Sequence, residues 1–149
     1  MSKTPGDYLA GLAEGEGSFY AFIKRTSTSP SGLRAGVGFS IVLANSPEAW
    51  QLLLDVAETL ECGTVRPKAD NRPGHRQQVR YKVEGNTQLR TKVIPFFQHH
   101  ILRGPKCKEF KLWCQILEIL KQGSTKLEVI EQVKELRATL NHGGRDRKY

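Results

Sequence analysis

Between Tyr8 and Thr26 the chain changes its periodicity within a few residues, and this switch limits the available folds more than any other feature. A short apolar run, Tyr8 to Ala13, follows Thr4-Pro5-Gly6-Asp7. Thr4 or Asp7 is placed to cap a helix there, with Pro5 in its first turn. Gly15 and Gly17 then end the helix. From Ser18 to Thr26 aromatic and β-branched residues dominate, which reads as a strand. Gly11 and Gly15 stand four residues apart, with Ala10 beside them, so they share one helix face. Small side chains on that face admit a second backbone, either within one core or from a second copy of the chain.

The remaining elements follow by the same reasoning. Thr26 to Gly32 is a polar turn, and Arg34 to Ala44 is a second strand, which makes a hairpin. Asn45-Ser46-Pro47-Glu48 is a helix start, with Ser46 as cap and Pro47 in the first position. Trp50, Leu53, Leu54, Ala57 and Leu60 recur at helical spacing before Gly63. Thr64 to Ala69 and Gln77 to Glu84 are strands of a second hairpin, turned at Pro73-Gly74. A helix from Gly85 to about Gln98 contains Pro95, which predicts a kink or break near Ile94. Helices over Cys107–Lys121 and Leu127–Leu140 follow, and the basic segment 143–149 is expected to be loose. The order helix, hairpin, helix, hairpin, helices predicts an α+β fold in one domain over residues 1–149, built on an antiparallel sheet.

Composition narrows the partner. The chain has 149 residues, with 23 Lys and Arg against 15 Asp and Glu, a formal charge of +8. Such a surplus points to a polyanion, nucleic acid first. Three cysteines, Cys62, Cys107 and Cys114, have no metal-finger spacing and read as reduced thiols. His75, His99, His100 and His142 form no catalytic spacing. No apolar run approaches the roughly 18 residues of a membrane span, and the N-terminus lacks signal-peptide character. An intracellular protein, in cytoplasm or organelle matrix and not secreted, is expected.

Strand alternation sorts the sheet into two faces. Phe19, Ala21 and Ile23 share one face of the first strand; Ser18, Tyr20, Phe22, Lys24 and Thr26 share the other. Val37, Phe39 and Ile41 are core candidates, opposed by Arg34, Gly36, Gly38 and Ser40. Arg66, Lys68, Gln78, Arg80 and Lys82 form a polar stripe opposite Val65, Val79, Tyr81 and Val83. Arg and Gln read base edges, and Lys and Arg hold phosphates. The candidate DNA contacts are therefore Ser18, Tyr20, Phe22, Lys24, Arg34, Ser40, Arg66, Lys68, Gln78, Arg80 and Lys82. Tyr20 and Phe22 interrupt the cationic pattern, and either pack on the sheet or touch thymine methyls.

The segment Leu9-Ala10-Gly11-Leu12-Ala13-Glu14-Gly15-Glu16-Gly17-Ser18-Phe19 resembles the motif of the LAGLIDADG homing endonucleases. The element order also resembles that family's αββαββα core, here with additional C-terminal helices. The resemblance implies a four-stranded DNA-binding sheet and a motif helix that packs on its twin. One motif in one chain implies a homodimer, with Leu9, Gly11, Leu12 and Gly15 at the interface. It implies that Glu16 is the catalytic metal ligand, helped by the Gly15 carbonyl, and that Glu14 has a structural role at the helix end.

The cofactor implied is Mg²⁺, with Mn²⁺ or Ca²⁺ able to occupy the same sites, and two metals about 4 Å apart suit phosphodiester cleavage. The family also places a polar residue late in the second strand, where this chain has Leu43, with Asn45 close by as substitute or helix cap. A basic residue after the third helix supports the cleaved phosphate. Arg103, Lys106 and Lys108 compete for that role, and Lys106 is preferred because it begins a helix. The implied function is site-specific cleavage of a near-palindromic duplex of about 20 base pairs, roughly one helical turn per half-site. Two other roles occur on this fold: an RNA maturase that assists intron splicing, and a transcriptional regulator without cleavage. Glu16 favours the nuclease.

Overall fold

The computed structural model describes residues 5–69, 72–74 and 77–146, with the side chains of 141–146 left aside. Helix α1 spans Gly6–Glu16 and passes directly into strand β1, Gly17–Arg25. Strand β2 follows at Leu33–Ala44, helix α2 at Pro47–Leu60, and strands β3 and β4 at Thr64–Lys68 and Gln78–Val83. The strands form one sheet in the order β1-β2-β4-β3. This is the expected α+β architecture with a four-stranded antiparallel sheet. Beyond it lie α3 (Asn86–Gln88), a π-helical segment (Leu89–Val93), α4 (Ile94–His99), α5 (Lys106–Leu120) and α6 (Leu127–Asp146).

Local chemistry explains the boundaries. Ser46 caps α2 by accepting a hydrogen bond from the Ala49 amide at 3.0 Å, with Pro47 behind it. Helix α1 has no side-chain cap; its N-cap position is Pro5, so Asp7 does not serve, and Thr4 lies outside the described residues. Pro95 does not break its helix. The π-helical turn immediately before it takes up the mismatch that a ring without an N–H imposes. Helix α6 runs past the expected end at Leu140 through Asp146, so the start of the basic tail is helical; residues 147–149 lie outside the described set.

The chain forms two compact units, each from two stretches of sequence: Met1–Ser18 with Phe39–Gly104, and Phe19–Gly38 with Pro105–Tyr149. In the first, Phe39 lies edge-on to Tyr81 and Phe97, with ring centroids 6.2 and 5.4 Å away. Ile41, Leu53, Val56, Val79, Leu89 and Val93 are fully buried around them. The Tyr81 hydroxyl donates to the Cys62 carbonyl at 2.8 Å. Burial raises the Tyr81 phenol well above its ordinary range. Gly63, at φ +92°, lies under the Tyr81 ring where any Cβ would collide.

In the second unit Trp113 is the centre. Its indole N–H is shared between the carbonyls of Gly38 (2.9 Å) and Tyr20 (3.2 Å). Phe19 meets the Trp113 ring edge-on at 5.1 Å. Val37, Ile116, Leu117, Ile130 and Val133 complete the buried set. Among the described residues, no helix is long and apolar enough to cross a membrane.

Candidate nucleic-acid interface and active site

Helix α1 carries two chemically different sides. Leu9 and Ala13, four residues apart, are fully buried. Tyr8, Gly11 and Gly15 are exposed and Leu12 is half-buried. A Cβ built on Gly11 or Gly15 meets no atom within 4 Å. The small-residue face is therefore unfilled within one chain. Leu9 is a correction: it belongs to the chain's own core and cannot also face a twin helix. Tyr8 is the large residue on the open side that the sequence reasoning passed over. Ala13 also faces inward.

Glu16 is the last residue of α1 and is exposed, with exposed Gly15 before it. The exit of the chain needs Gly17. A Cβ there would stand 2.7 Å from the Ala13 carbonyl oxygen, the same atom that receives the Gly17 N–H. Helix C-termini carry partial negative charge, which favours a cation beside them. A carboxylate with a neighbouring backbone carbonyl is a hard oxygen donor set that suits Mg²⁺, Mn²⁺ or Ca²⁺. Among the described residues no group of three or more His, Cys, Asp or Glu is arranged to hold a metal. A single chain thus offers Glu16 and Gly15 as donors, and a second copy would double them.

Glu14 does different work. Its Oε1 accepts from the backbone amides of Arg103 (2.9 Å) and Gly104 (3.1 Å). It therefore fastens the segment after α4 to the end of α1. Asp7 meets His100 Nδ1 at 3.3 Å at the other end of the same helix. Between these contacts lies a groove of about 660 Å³ bordered by Ala10, Gly11, Ile101 and Arg103.

The sheet face of the first unit is cationic, as alternation predicts. Pairing places Arg66 directly opposite Arg80, Lys68 opposite Gln78 and Thr64 opposite Lys82. On the other edge of β4, Ser40 stands opposite Lys82 and Val42 opposite Arg80. Val65, Val79, Tyr81 and Val83 are buried on the reverse face. Like charges directly opposite one another destabilise a bare sheet, and an anion on this face would relieve that. Ser40 is only 8% exposed, so little of its hydroxyl is open on this face in the free chain.

In the second unit Ser18's neighbours on β1 turn outward in the expected alternation. Tyr20 and Phe22 are half-buried, and Lys24 and Arg34 are exposed. Lys24 Nζ lies 4.4 Å from the Phe22 ring centre and the Arg34 guanidinium carbon 5.4 Å. Ser18 itself is exposed at the end of the first unit's sequence.

The supporting residues differ from expectation. Lys106 opens α5 but is 5% exposed, whereas Arg103 and Lys108 are exposed. It is not a solvated helix start, and a buried lysine is rare enough to set it apart from the other two. Leu43 pairs with Val79 and lies on the apolar side of the sheet, which explains its hydrocarbon side chain. Asn45 is not the helix cap; its Oδ1 accepts from the Trp50 indole at 2.8 Å. Cys62 is buried and Cys107 and Cys114 are half-buried, all as free thiols. Burial pushes the Cys114 thiol up to about 11. His99 and His100 stack edge to face; His75 and the His142 side chain lie outside the described residues.

Comparison with known proteins shows the family and the fold. Residues 9–117, well over half of the chain, match the family model described as LAGLIDADG endonuclease. The solved homing endonuclease I-TnaI superposes with a TM-score of 0.82 at 26% identity, covering 97% of this chain and 93% of its own. I-SmaMI, described as a LAGLIDADG homing endonuclease bound to cleaved DNA, gives 0.80 at 25% identity, over 93% of this chain and 44% of that one. I-LtrWI, bound to its target DNA, shares the fold with a TM-score of 0.79 at 23% identity, over 92% and 44%. The chain spans less than half the length of the last two. It belongs to the LAGLIDADG endonuclease family.

Proposed function

We propose that this protein is a site-specific double-stranded DNA endonuclease, a homing endonuclease, that works as a homodimer with a divalent metal, Mg²⁺ first. The observation that carries this reading is an exposed Glu16 at the end of a helix whose glycine face is empty within one chain. Two copies meeting on Gly11 and Gly15 would bring two Glu16 carboxylates to one axis. I-SmaMI has been solved on uncleaved DNA with calcium ions, which supports a divalent cation here.

Each residue then has a task. Glu16, with the Gly15 carbonyl, would hold the metal, which supplies Lewis-acid chemistry to phosphodiester hydrolysis. Glu14 positions the Arg103–Gly104 segment through two backbone bonds. Arg66, Lys68, Arg80 and Lys82 hold phosphates, and Gln78 and the arginines read base edges. Lys106, desolvated at the start of α5, supports the charge that develops on the phosphate. A symmetric dimer reads a near-palindromic duplex of about 20 base pairs.

The decisive experiment is selection of cleaved sequences from a randomised duplex library with Mg²⁺, beside Glu16→Gln. The substitution keeps size and polarity and removes the charge. It should abolish cutting while leaving duplex binding within about threefold, since Glu16 contributes repulsion and not attraction to DNA. Equal cutting by the variant would sink the mechanism.

A further inference from the structure

Two aromatic residues interrupt the cationic pattern of β1, and the structure shows why one of them is there. The Phe22 ring lies across β2 at Gly36. A Cβ on Gly36 would stand 2.3 Å from the tip of that ring, so only glycine leaves the slot open. An aromatic side chain laid over a strand glycine is a recurrent way to fill the gap that glycine leaves in a sheet. What lies against the ring is less ordinary. Lys24 Nζ sits 4.4 Å from its centre and the Arg34 guanidinium 5.4 Å. Tyr20 tilts against it, with centroids 6.5 Å apart. A cation is drawn to the negative face of an aromatic ring. One ring therefore gathers two exposed cations.

We propose that Phe22 is a positioning residue for sequence reading: seated on Gly36, it holds Arg34 as a guanine reader, with Lys24 beside it. This rests on the nuclease reading above. An arginine held by a ring has lost part of its rotamer freedom before binding, so less is lost when its fork engages a base. Arginine bidentate to guanine O6 and N7 is the commonest specific contact in the major groove, which a two-stranded ribbon enters. A phosphate contact would use the same charge but carry no base preference, and the two roles separate experimentally.

The test is selection by binding, without cleavage, of a randomised duplex library by the full chain in Ca²⁺, followed by sequencing. Wild-type protein should enrich sites with a guanine at one fixed position in each half-site. Arg34→Ala should lower that preference by about tenfold, at that position alone. Phe22→Leu, which keeps an apolar side chain but no ring, should lower it by about threefold. Gly36→Ala, which displaces the ring by its Cβ, should do the same, and Phe22→Tyr should restore the wild-type profile. All four should melt cooperatively; if Phe22→Leu does not, Gly36→Ala against Phe22→Tyr decides. Unchanged preference in Phe22→Leu and Gly36→Ala overturns the positioning role. A uniform loss of enrichment with no positional change, in Arg34→Ala, makes Arg34 a phosphate contact and overturns the reading of guanine. If wild-type protein enriches no sequence at all, the nuclease reading falls and this inference with it.

Discussion

Replacing Gly11 with leucine should stabilise one chain and dissociate two. Within a chain, a Cβ at this position meets nothing within 4 Å. The site lies in the middle of α1, where glycine is a poor helix former. Leucine therefore gains roughly 0.8 kcal/mol of helix propensity, worth about 2 °C for a domain of this size. Across a two-fold axis the same side chain appears twice where backbones must approach. Overpacking costs about 1–3 kcal/mol at each position, or about 2–6 kcal/mol per dimer. Even the lower figure weakens association by about 30-fold. Sedimentation velocity over a concentration series should show a dimer for the wild type at micromolar concentration and a monomer for Gly11→Leu. The monomeric variant should keep its helical circular dichroism and melt cooperatively. A variant that remains dimeric and cuts normally would refute the reasoning, because the empty glycine face would then not be where two copies meet. A variant that fails to fold would show that the face is filled within one chain.

Three further outcomes follow from single contacts. Lys106→Met, which keeps the stem in its buried place, should reduce cutting by about 10²-fold in single-turnover assays while the variant still melts cooperatively; full activity would transfer the role to Arg103 or Lys108. Tyr81→Phe leaves the Cys62 carbonyl without the hydroxyl that lies 2.8 Å away, and should cost about 1–2 kcal/mol in urea titration; an unchanged midpoint would show that this bond contributes nothing. Cys114, pushed up to about 11 by burial from an ordinary 9.0, should react slowly with a thiol reagent at pH 8 in the folded protein. Because the folded state holds that proton more tightly, its stabilising contribution is complete below pH 9.0 and lost as pH rises through about 11; rapid native labelling at pH 8 would contradict the burial.

The order of elements was legible because each carries its own period. The apolar residues of β4 alternate without a fault from Val79 to Val83, and Ser46-Pro47 announces α2 by capping chemistry alone. Glu16 was singled out for another reason, the resemblance of Leu9–Phe19 to the family motif; the structure adds that it ends α1 and is exposed. The misplacements share a cause. Leu9 and Leu12 are both apolar on one turn of α1, and periodicity cannot tell which of two non-polar sides meets the chain's own core. Lys106 begins its helix as read, but its burial was not legible, because lysine at a helix start is usually solvated. Ser40 has the right parity for the polar face, but parity does not give exposure, and little of it is open in the free chain. Phe22 read as an interruption because its partner, Gly36, lies on the next strand, and the pairing is set by a turn closed through the Thr26 amide and the Gly32 carbonyl.

The opposition of Arg66 and Arg80 has a consequence for how the protein behaves outside its target. Two arginines at directly opposed register positions repel, and at 0.1 M salt counterions screen charges only beyond about 10 Å. Any polyanion laid on that face removes the repulsion whether or not it carries the right sequence. The sheet is in this sense unfinished in the free protein, and nucleic acid would act as its missing layer. Thermal stability should therefore climb with heparin or random duplex as well as with salt. A melting curve, and not only a cutting assay, then registers the first, unspecific stage of the search for a site.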